Sequence, residues 1–239
     1  MLETRQNHFM KTLVIIPAYN EELNIVHTVN SVRAAGDYEY IVINDGSKDN
    51  TAKVCKENNI DFIDLPVNLG LNGSFQTGIL YAFMHSYDYA VQIDGDGQHK
   101  PEYIRQMIDL MEVENADIVI GSRFVREKKP ATMRMLGNNL IQFAIKVTTG
   151  KTITDPTSGM RLYNKKMLEI ISRGMNFGPE PDTVAFLIRS GFKVTELQVE
   201  MLERTAGQSM YVSPLRSVRY MLTMFTSILF AQFFRKVEK

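Results

Sequence analysis

The chain predicts an α/β fold, a mostly parallel sheet covered by helices on both faces. Three observations carry that prediction. Short apolar runs recur through the first two-thirds of the sequence, and stretches with helical periodicity separate them. Turn-forming and polar residues gather just after the runs, where strands would end. Apolar strands alternating with amphipathic helices belong to parallel sheets buried on both sides. Ligands of such sheets bind at the carboxyl ends of the strands.

The elements follow in order. Leu13–Pro17 is a continuous apolar run, and Glu21–Ala35 has helical periodicity closed by Gly36. Tyr40–Asn44 is a second strand, followed by Asp45-Gly46-Ser47 and a short helix from about Asp49. Ile60–Leu65 is a third; an Asn/Gly-rich loop over 68–73 then leads into a helix through Met84. Tyr89–Ile93 alternates as a buried strand, and Pro101-Glu102 suits the first turn of a helix. Ala116–Ile120 is another strand. Beyond Lys151 the texture changes: Asp155–Arg161 is turn-rich, and Gly178–Asp182 opens a helix ending at Gly191. No repeat or low-complexity linker divides the chain. The expected organisation is a disordered lead over 1–10, one domain over 11–212 and an amphipathic helical segment over 213–239.

Composition narrows the function. With 239 residues, 44% hydrophobic and 23% charged, the chain is globular and not disordered. Lysine plus arginine equals aspartate plus glutamate at 27 each, so no global field draws it to nucleic acid. A lone cysteine, Cys55, excludes an internal disulfide and a cysteine metal cluster, and it fits a reducing compartment. The amino terminus lacks the basic and apolar regions of a secretion signal.

The most informative segment is Ile93-Asp94-Gly95-Asp96-Gly97-Gln98-His99. Two carboxylates one residue apart at a strand end repel each other unless a divalent cation lies between them. The same residue types also make an ordinary solvated turn. By position, Pro17–Glu21, Asn44–Ser47 and Gly121-Ser122-Arg123 fall at strand ends as well. That convergence favours a binding site.

The last segment, Ser213–Arg235, is a helix candidate with Pro214 near its start. Leu215, Val218, Met221, Leu222, Phe225, Ile228, Leu229, Phe233 and Phe234 form one broad apolar face. Arg216, Arg219, Arg235 and Lys236 place positive charge at its ends. A membrane span needs roughly 20 mostly apolar residues. The uncharged stretch Tyr220–Phe234 is shorter and carries Thr223, Thr226, Ser227 and Gln232. A helix lying in the membrane interface is therefore expected, against packing into the core or a dimer as the alternative.

Five ordered blocks resemble the family 2 glycosyltransferases of the GT-A fold, in the polyprenyl-phosphate branch that contains dolichyl-phosphate mannose synthase. They are Val14–Glu21, Ile93–His99, Gly121-Ser122-Arg123, Asp155-Pro156-Thr157-Ser158-Gly159 and Glu203–Ser209. The resemblance runs from about Lys11 to Gln208 and implies a Rossmann-like sheet flanked by helices. It implies an inverting, metal-dependent enzyme that moves a hexosyl or N-acetylhexosaminyl group from a UDP- or GDP-sugar to a polyprenyl phosphate, for cell-envelope glycan assembly. Extension of a lipid-linked saccharide, or nucleotide-sugar binding without catalysis, are the alternatives.

On that resemblance Pro17, Tyr19, Glu21 and Asp45 would hold the nucleoside, with Gly95 beside the donor. Asp94, Asp96 and Gln98 would organise Mg2+ or Mn2+ on the diphosphate. Arg123 and Arg204 would bind phosphates, while Ser158, Gly159 and Arg134 would shape the acceptor side. Asp182, with Glu180 beside it, takes the place of a late catalytic carboxylate, and capping of a helix N-terminus is the competing role. The branch often has a basic residue where this chain has Met210. The resemblance further implies a peripheral enzyme on the cytoplasmic face of the membrane and leaves homo-oligomerisation open. Relatives often carry spanning helices after the catalytic domain; with none before Lys239, a small integral membrane protein is an expected anchor.

Overall fold

The computed structural model describes residues 10–174, 177–202 and 214–234, the side chains at 133, 134, 214–218 and 231–234 excepted. Seven strands form one sheet in the order β3-β2-β1-β4-β6-β5-β7. They are β1 (Thr12–Ala18), β2 (Glu39–Asn44), β3 (Phe62–Asp64), β4 (Tyr89–Gln92), β5 (Ile118–Ser122), β6 (Arg161–Asn164) and β7 (Val194–Gln198). All neighbouring pairs are parallel except those of β6, which runs antiparallel to both β4 and β5. The expected mostly parallel sheet is present.

Alternation within β1 explains the layers. Leu13 and Ile15 face a core completed by α3 (Gly70–Met84), α5 (Met133–Thr149), α6 (Lys165–Arg173), α7 (Pro181–Arg189) and α8 (Pro214–Phe234). Val14 and Ile16 face the other core, completed by α1 (Ile25–Ala35), α2 (Thr51–Glu57) and α4 (Ile104–Glu114). Both sets of strand side chains are fully buried, so the strands read as unbroken apolar runs and not as alternating ones.

Several elements differ from expectation. The helix expected over 21–35 begins at Ile25, after a turn at 22–24. Pro101–Tyr103 is a single 3-10 turn leading directly into α4. The Asn/Gly-rich stretch is helical from Gly70, not a loop to Gly73. Tertiary contact overrides the weak local propensity of glycine there. Asp45 accepts the Leu69 backbone N–H at 2.7 Å and anchors the start of α3. At Gly78 a Cβ would lie 2.3 Å from Ile15 Cγ2, so only glycine lets α3 approach the sheet.

The sequence signals did not announce α5, α6, β6 or β7. Strand β6 emerges from the turn-rich Asp155–Arg161 stretch, and its reversed direction delivers residues 155–160 to the edge where the parallel strands end. Its first residue, Arg161, is fully buried because its guanidinium donates to the Ser158 and Pro156 carbonyls at 3.0 and 2.8 Å. That satisfaction makes a buried cation tolerable.

Helix α8 forms within the expected bounds but is not only a surface element. Ile228 is buried among the α5 and α7 core residues, with Met224 and Phe225 packed beside it. Its opposite side leaves Leu222 and Phe230 exposed. No described helix is long and apolar enough to cross a membrane.

Candidate active site

The site is built from loops that meet at one edge of the sheet. The first two are stitched together by polar side chains. Asn20, held at a positive φ of 57°, donates its backbone N–H to the Ser47 hydroxyl at 2.9 Å, and its amide oxygen accepts from Lys48 N–H at 2.8 Å. The Glu21 N–H donates to Thr51 Oγ1 at 2.9 Å, and the Glu21 carboxylate accepts from Asn24 at 2.7 Å. Pro17 and Tyr19 flank this seam, with Tyr19 exposed and Glu21 buried. Asp45 is 4% exposed and spends one oxygen on Leu69 N–H. It is thus an anchor for α3 as well as a candidate nucleoside contact.

The 93–99 loop follows β4. Gly95 donates its N–H to the Pro17 carbonyl at 3.2 Å, which docks the loop against the first strand end. Asp94 accepts from the Gln92 side-chain amide at 3.0 Å, and its own N–H donates to His99 Nδ1 at 3.1 Å. The buried His99 ring therefore accepts at Nδ1 and shapes the loop. Asp96 accepts the Gln98 N–H at 3.1 Å in a tight turn. The Gln98 side-chain amide donates to the Leu202 carbonyl at 3.2 Å. On the far side, a Cβ at Gly159 would sit 2.3 Å from Asp94 Oδ2, so this glycine alone allows the 155–160 loop to reach the carboxylate. Ser158 is buried and donates to the Gly121 carbonyl, which holds that loop on β5.

The two carboxylates suit a hard divalent cation. They supply oxygen donors at a partly exposed loop, and no group of three or more His, Cys, Asp or Glu able to hold a metal occurs among the described residues. Two carboxylates with the remaining positions left to substrate phosphates and water is the mode expected of Mg2+ and similar ions. A closed structural site would demand more protein ligands.

Arg123 stands at the end of β5. Its Nε and one Nη donate to the two Asp155 oxygens at 2.7 and 2.9 Å, a paired geometry. Asp155 is fully buried and receives a further, longer bond from Asn138 at 3.3 Å. Lys129 donates to the side-chain oxygens of Asn138, Asn139 and Gln142. Burial pushes the Lys129 ammonium below its ordinary pKa, although the Asp155 and Glu196 carboxylates act in the opposite sense.

Asp182 lies one residue inside α7, whose amino end carries Glu180 at the cap position. It is buried; one oxygen accepts its neighbour Thr183 N–H at 2.8 Å and the other accepts the Ser227 hydroxyl of α8 at 2.7 Å. Arg204 lies outside the described residues, as do the side chain of Arg134 and position 210. Sequence motifs assign no role to Asn138, Glu196, Gln92 or His99. Asp155 stands in a recognised block, and an aspartate in a chain that also carries Gly121-Ser122-Arg123 is the one available signal for its pairing.

Comparisons with known proteins give the family and the fold. The model of "Glycosyl transferase family 2" matches residues 13–171. A UDP-N-acetylglucosamine–dolichyl-phosphate N-acetylglucosaminyltransferase from Methanococcus voltae is 33% identical over 179 residues, covering 66% of this chain and 71% of the relative. An undecaprenyl-phosphate mannosyltransferase from Micrococcus luteus is 28% identical, covering 84% and 87%. Among solved structures, glucosyl-3-phosphoglycerate synthase from Mycobacterium tuberculosis with Mn2+, UDP and phosphoglyceric acid superposes with a TM-score of 0.67 at 19% identity, covering 94% of this chain and 78% of that one. That likeness is one of fold, and the fold is GT-A. Since the family model spans both the paired-aspartate loop and the Gly159 loop that closes on it, the chain belongs to glycosyltransferase family 2.

Proposed function

We propose that this protein transfers a sugar from a nucleotide-sugar donor to a polyprenyl phosphate at the cytoplasmic membrane surface, using Mg2+ or Mn2+. The observation that carries the reading is the Asp94/Asp96 pair, set between the Asp45 loop on one side and Gly159 and Arg123 on the other. Donor and acceptor then meet at one strand edge. The names of the Methanococcus and Micrococcus relatives support a lipid phosphate as acceptor, and the Mn2+ and UDP in the structural neighbour support the metal and a nucleotide.

In this reading Pro17, Tyr19, Glu21 and Asp45 hold the nucleoside, and Gly95 lets the donor approach the backbone. Asp94, Asp96 and Gln98 hold the divalent cation, which neutralises charge on the departing nucleoside diphosphate. Arg123, together with Arg204, binds phosphate oxygens, and Ser158, Gly159 and Arg134 bound the acceptor. An acceptor phosphate is ionised near neutral pH and needs little help from a base. Asp182 is therefore assigned to orienting the acceptor side through α7 and its bond to α8.

Membrane docking is assigned to α5 and α8, which pack on one another. Leu136, Phe143 and Val147 of α5 are 62%, 60% and 63% exposed, and Leu222 and Phe230 of α8 are 54% and 60% exposed. Exposed Lys146 and Arg219 lie on the same two helices. Large exposed apolar side chains grouped on neighbouring helices mark an interaction face.

Incubation with polyprenyl phosphate and radiolabelled UDP-glucose, UDP-N-acetylglucosamine and GDP-mannose, followed by lipid extraction, tests the reading. Label should enter the lipid phase from one donor and vanish with EDTA. Label appearing only on a preformed lipid-linked saccharide makes the enzyme an extender. Nucleotide binding with no transfer makes it a binder.

The nucleoside role of Asp45 has its own test. Asp45→Asn keeps an oxygen for Leu69 N–H and removes the charge, so α3 stays anchored. Loss of a hydrogen bond to a charged acceptor costs about 1.5–3 kcal/mol, which is roughly tenfold or more in nucleotide affinity by calorimetry. Donor KM should rise more than kcat falls. Unchanged affinity for UDP and GDP removes Asp45 from the nucleoside site.

A further inference from the structure

We infer that Glu196 is a positioning residue, holding the 154–155 turn so that Asp155 keeps the Arg123 guanidinium aimed at a phosphate oxyanion of the substrate. The inference rests on the proposed phosphate role of Arg123. Glu196 lies on β7, opposite Ile120 of β5 in the parallel register, and so stands just behind the site edge. Its carboxylate accepts three bonds from one short segment. Thr154 N–H donates to Oε2 at 2.7 Å; the Thr154 hydroxyl and the Asp155 N–H both donate to Oε1 at 2.9 Å. The turn is thereby fixed at two successive amides.

What that turn presents is the Asp155 carboxylate, fully buried and committed on both oxygens to Arg123. A buried carboxylate is tolerable only while its partners stay in place, so any rotation of the turn is resisted by the ion pair and is transmitted to it. The fork uses Nε and one Nη of Arg123. The other Nη has no hydrogen-bond partner among the described residues, and the side chain is 22% exposed. One edge of the guanidinium is therefore held and the other is offered. The Arg123 backbone is fixed from the same strand, since Gln198 on β7 donates to its carbonyl at 2.9 Å. Glu196 acts on Arg123 through Thr154 and Asp155 and has no need to touch substrate.

Glu196→Gln is the sharp variant. A glutamine at 196 cannot accept at both oxygens: its NH2 would face either the Thr154 N–H or the pair of donors now on Oε1. The Arg123 Nε–H resonance of the full chain, assigned by its loss in Arg123→Lys, reports the ion pair directly. In the wild type it should exchange slowly with solvent and should shift on titration with a phosphate. UDP with Mg2+ and geranyl phosphate, used in separate titrations, distinguish donor diphosphate from acceptor phosphate. In Glu196→Gln the slow exchange should be lost, and affinity for whichever ligand moves the signal should fall about tenfold or more, while circular dichroism stays native. Thr154→Val removes one of the three bonds and should give an intermediate loss, which serves if Glu196→Gln does not fold. An Arg123 signal and titration identical to wild type in both variants overturn the inference. Loss of protection in Glu196→Gln with no response of the wild type to either ligand supports the positioning and overturns the phosphate role.

Discussion

Asp96→Asn should lower turnover on the order of a thousandfold, or about 4 kcal/mol of transition-state stabilisation, and leave the fold intact. The two effects separate because of where the residue sits. Asp96 is on a partly exposed loop beyond β4, not in either core, and its Oδ1 accepts the Gln98 N–H. Asparagine can keep that bond and the turn while removing half of the charge offered to a cation. Three measurements check it: turnover with saturating donor, thermal melting, and Mn2+ titration in the presence of UDP. Metal affinity and kcat should fall together with melting unchanged. Full activity of the variant in EDTA overturns the metal role of this pair.

The second large effect concerns the membrane. Replacing Phe143, Leu222 and Phe230 together by aspartate should release the protein from anionic liposomes and abolish transfer to a long-chain polyprenyl phosphate. Each side chain contributes about 1.5–3 kcal/mol when fully removed from water, so partitioning should fall by at least about a hundredfold. Substitution is the proper test here, and truncation is not. Ile228 is buried in the core and Ser227 bonds Asp182, so removing α8 would expose the core and take one hydrogen bond from a buried carboxylate. The three exposed side chains can change without opening either core. Transfer to a short, water-soluble prenyl phosphate should persist in the triple variant. Basic residues near an anionic surface add about 1 kcal/mol each, so Arg219→Glu should weaken binding in proportion to lipid charge. Liposome binding unaltered in the triple variant assigns the face to another partner. Loss of the short-chain activity as well would make the effect structural.

Much of this arrangement is legible in the amino-acid sequence alone. The central strands announce themselves because burial on both faces forces continuous apolar runs, and Leu13–Pro17 and Tyr40–Asn44 show them. Turn chemistry at their ends points to the edge where Asp45 and Asp94–Gln98 lie. Helix α8 is readable from its apolar spacing and Pro214. The elements that escape notice lack a local signature. Strand β6 is only four residues long and follows a turn-rich stretch. The start of α3 looks like a loop, and the nearby Gly78 is explained only by Ile15, far away in the chain.

The sequence by itself determined the α/β class, the strand-end edge and the residue types gathered there, because periodicity and turn preference act within about one or two helical turns. Only the tertiary structure decided which of those residues meet. Arg123 finds Asp155 across 32 positions, and Thr154 finds Glu196 across 42. Gly159 meets Asp94 because β6 runs backward through a parallel sheet and returns its loop to the site edge. Pairings of that kind are set by strand order and direction, which no local spacing encodes. Burying such charges is costly, so each is tolerated only where the fold delivers its partner. The same holds for α8. Its pattern specifies an apolar helix, and packing against α5 and α7 decided which face turns inward and which is left to meet another surface.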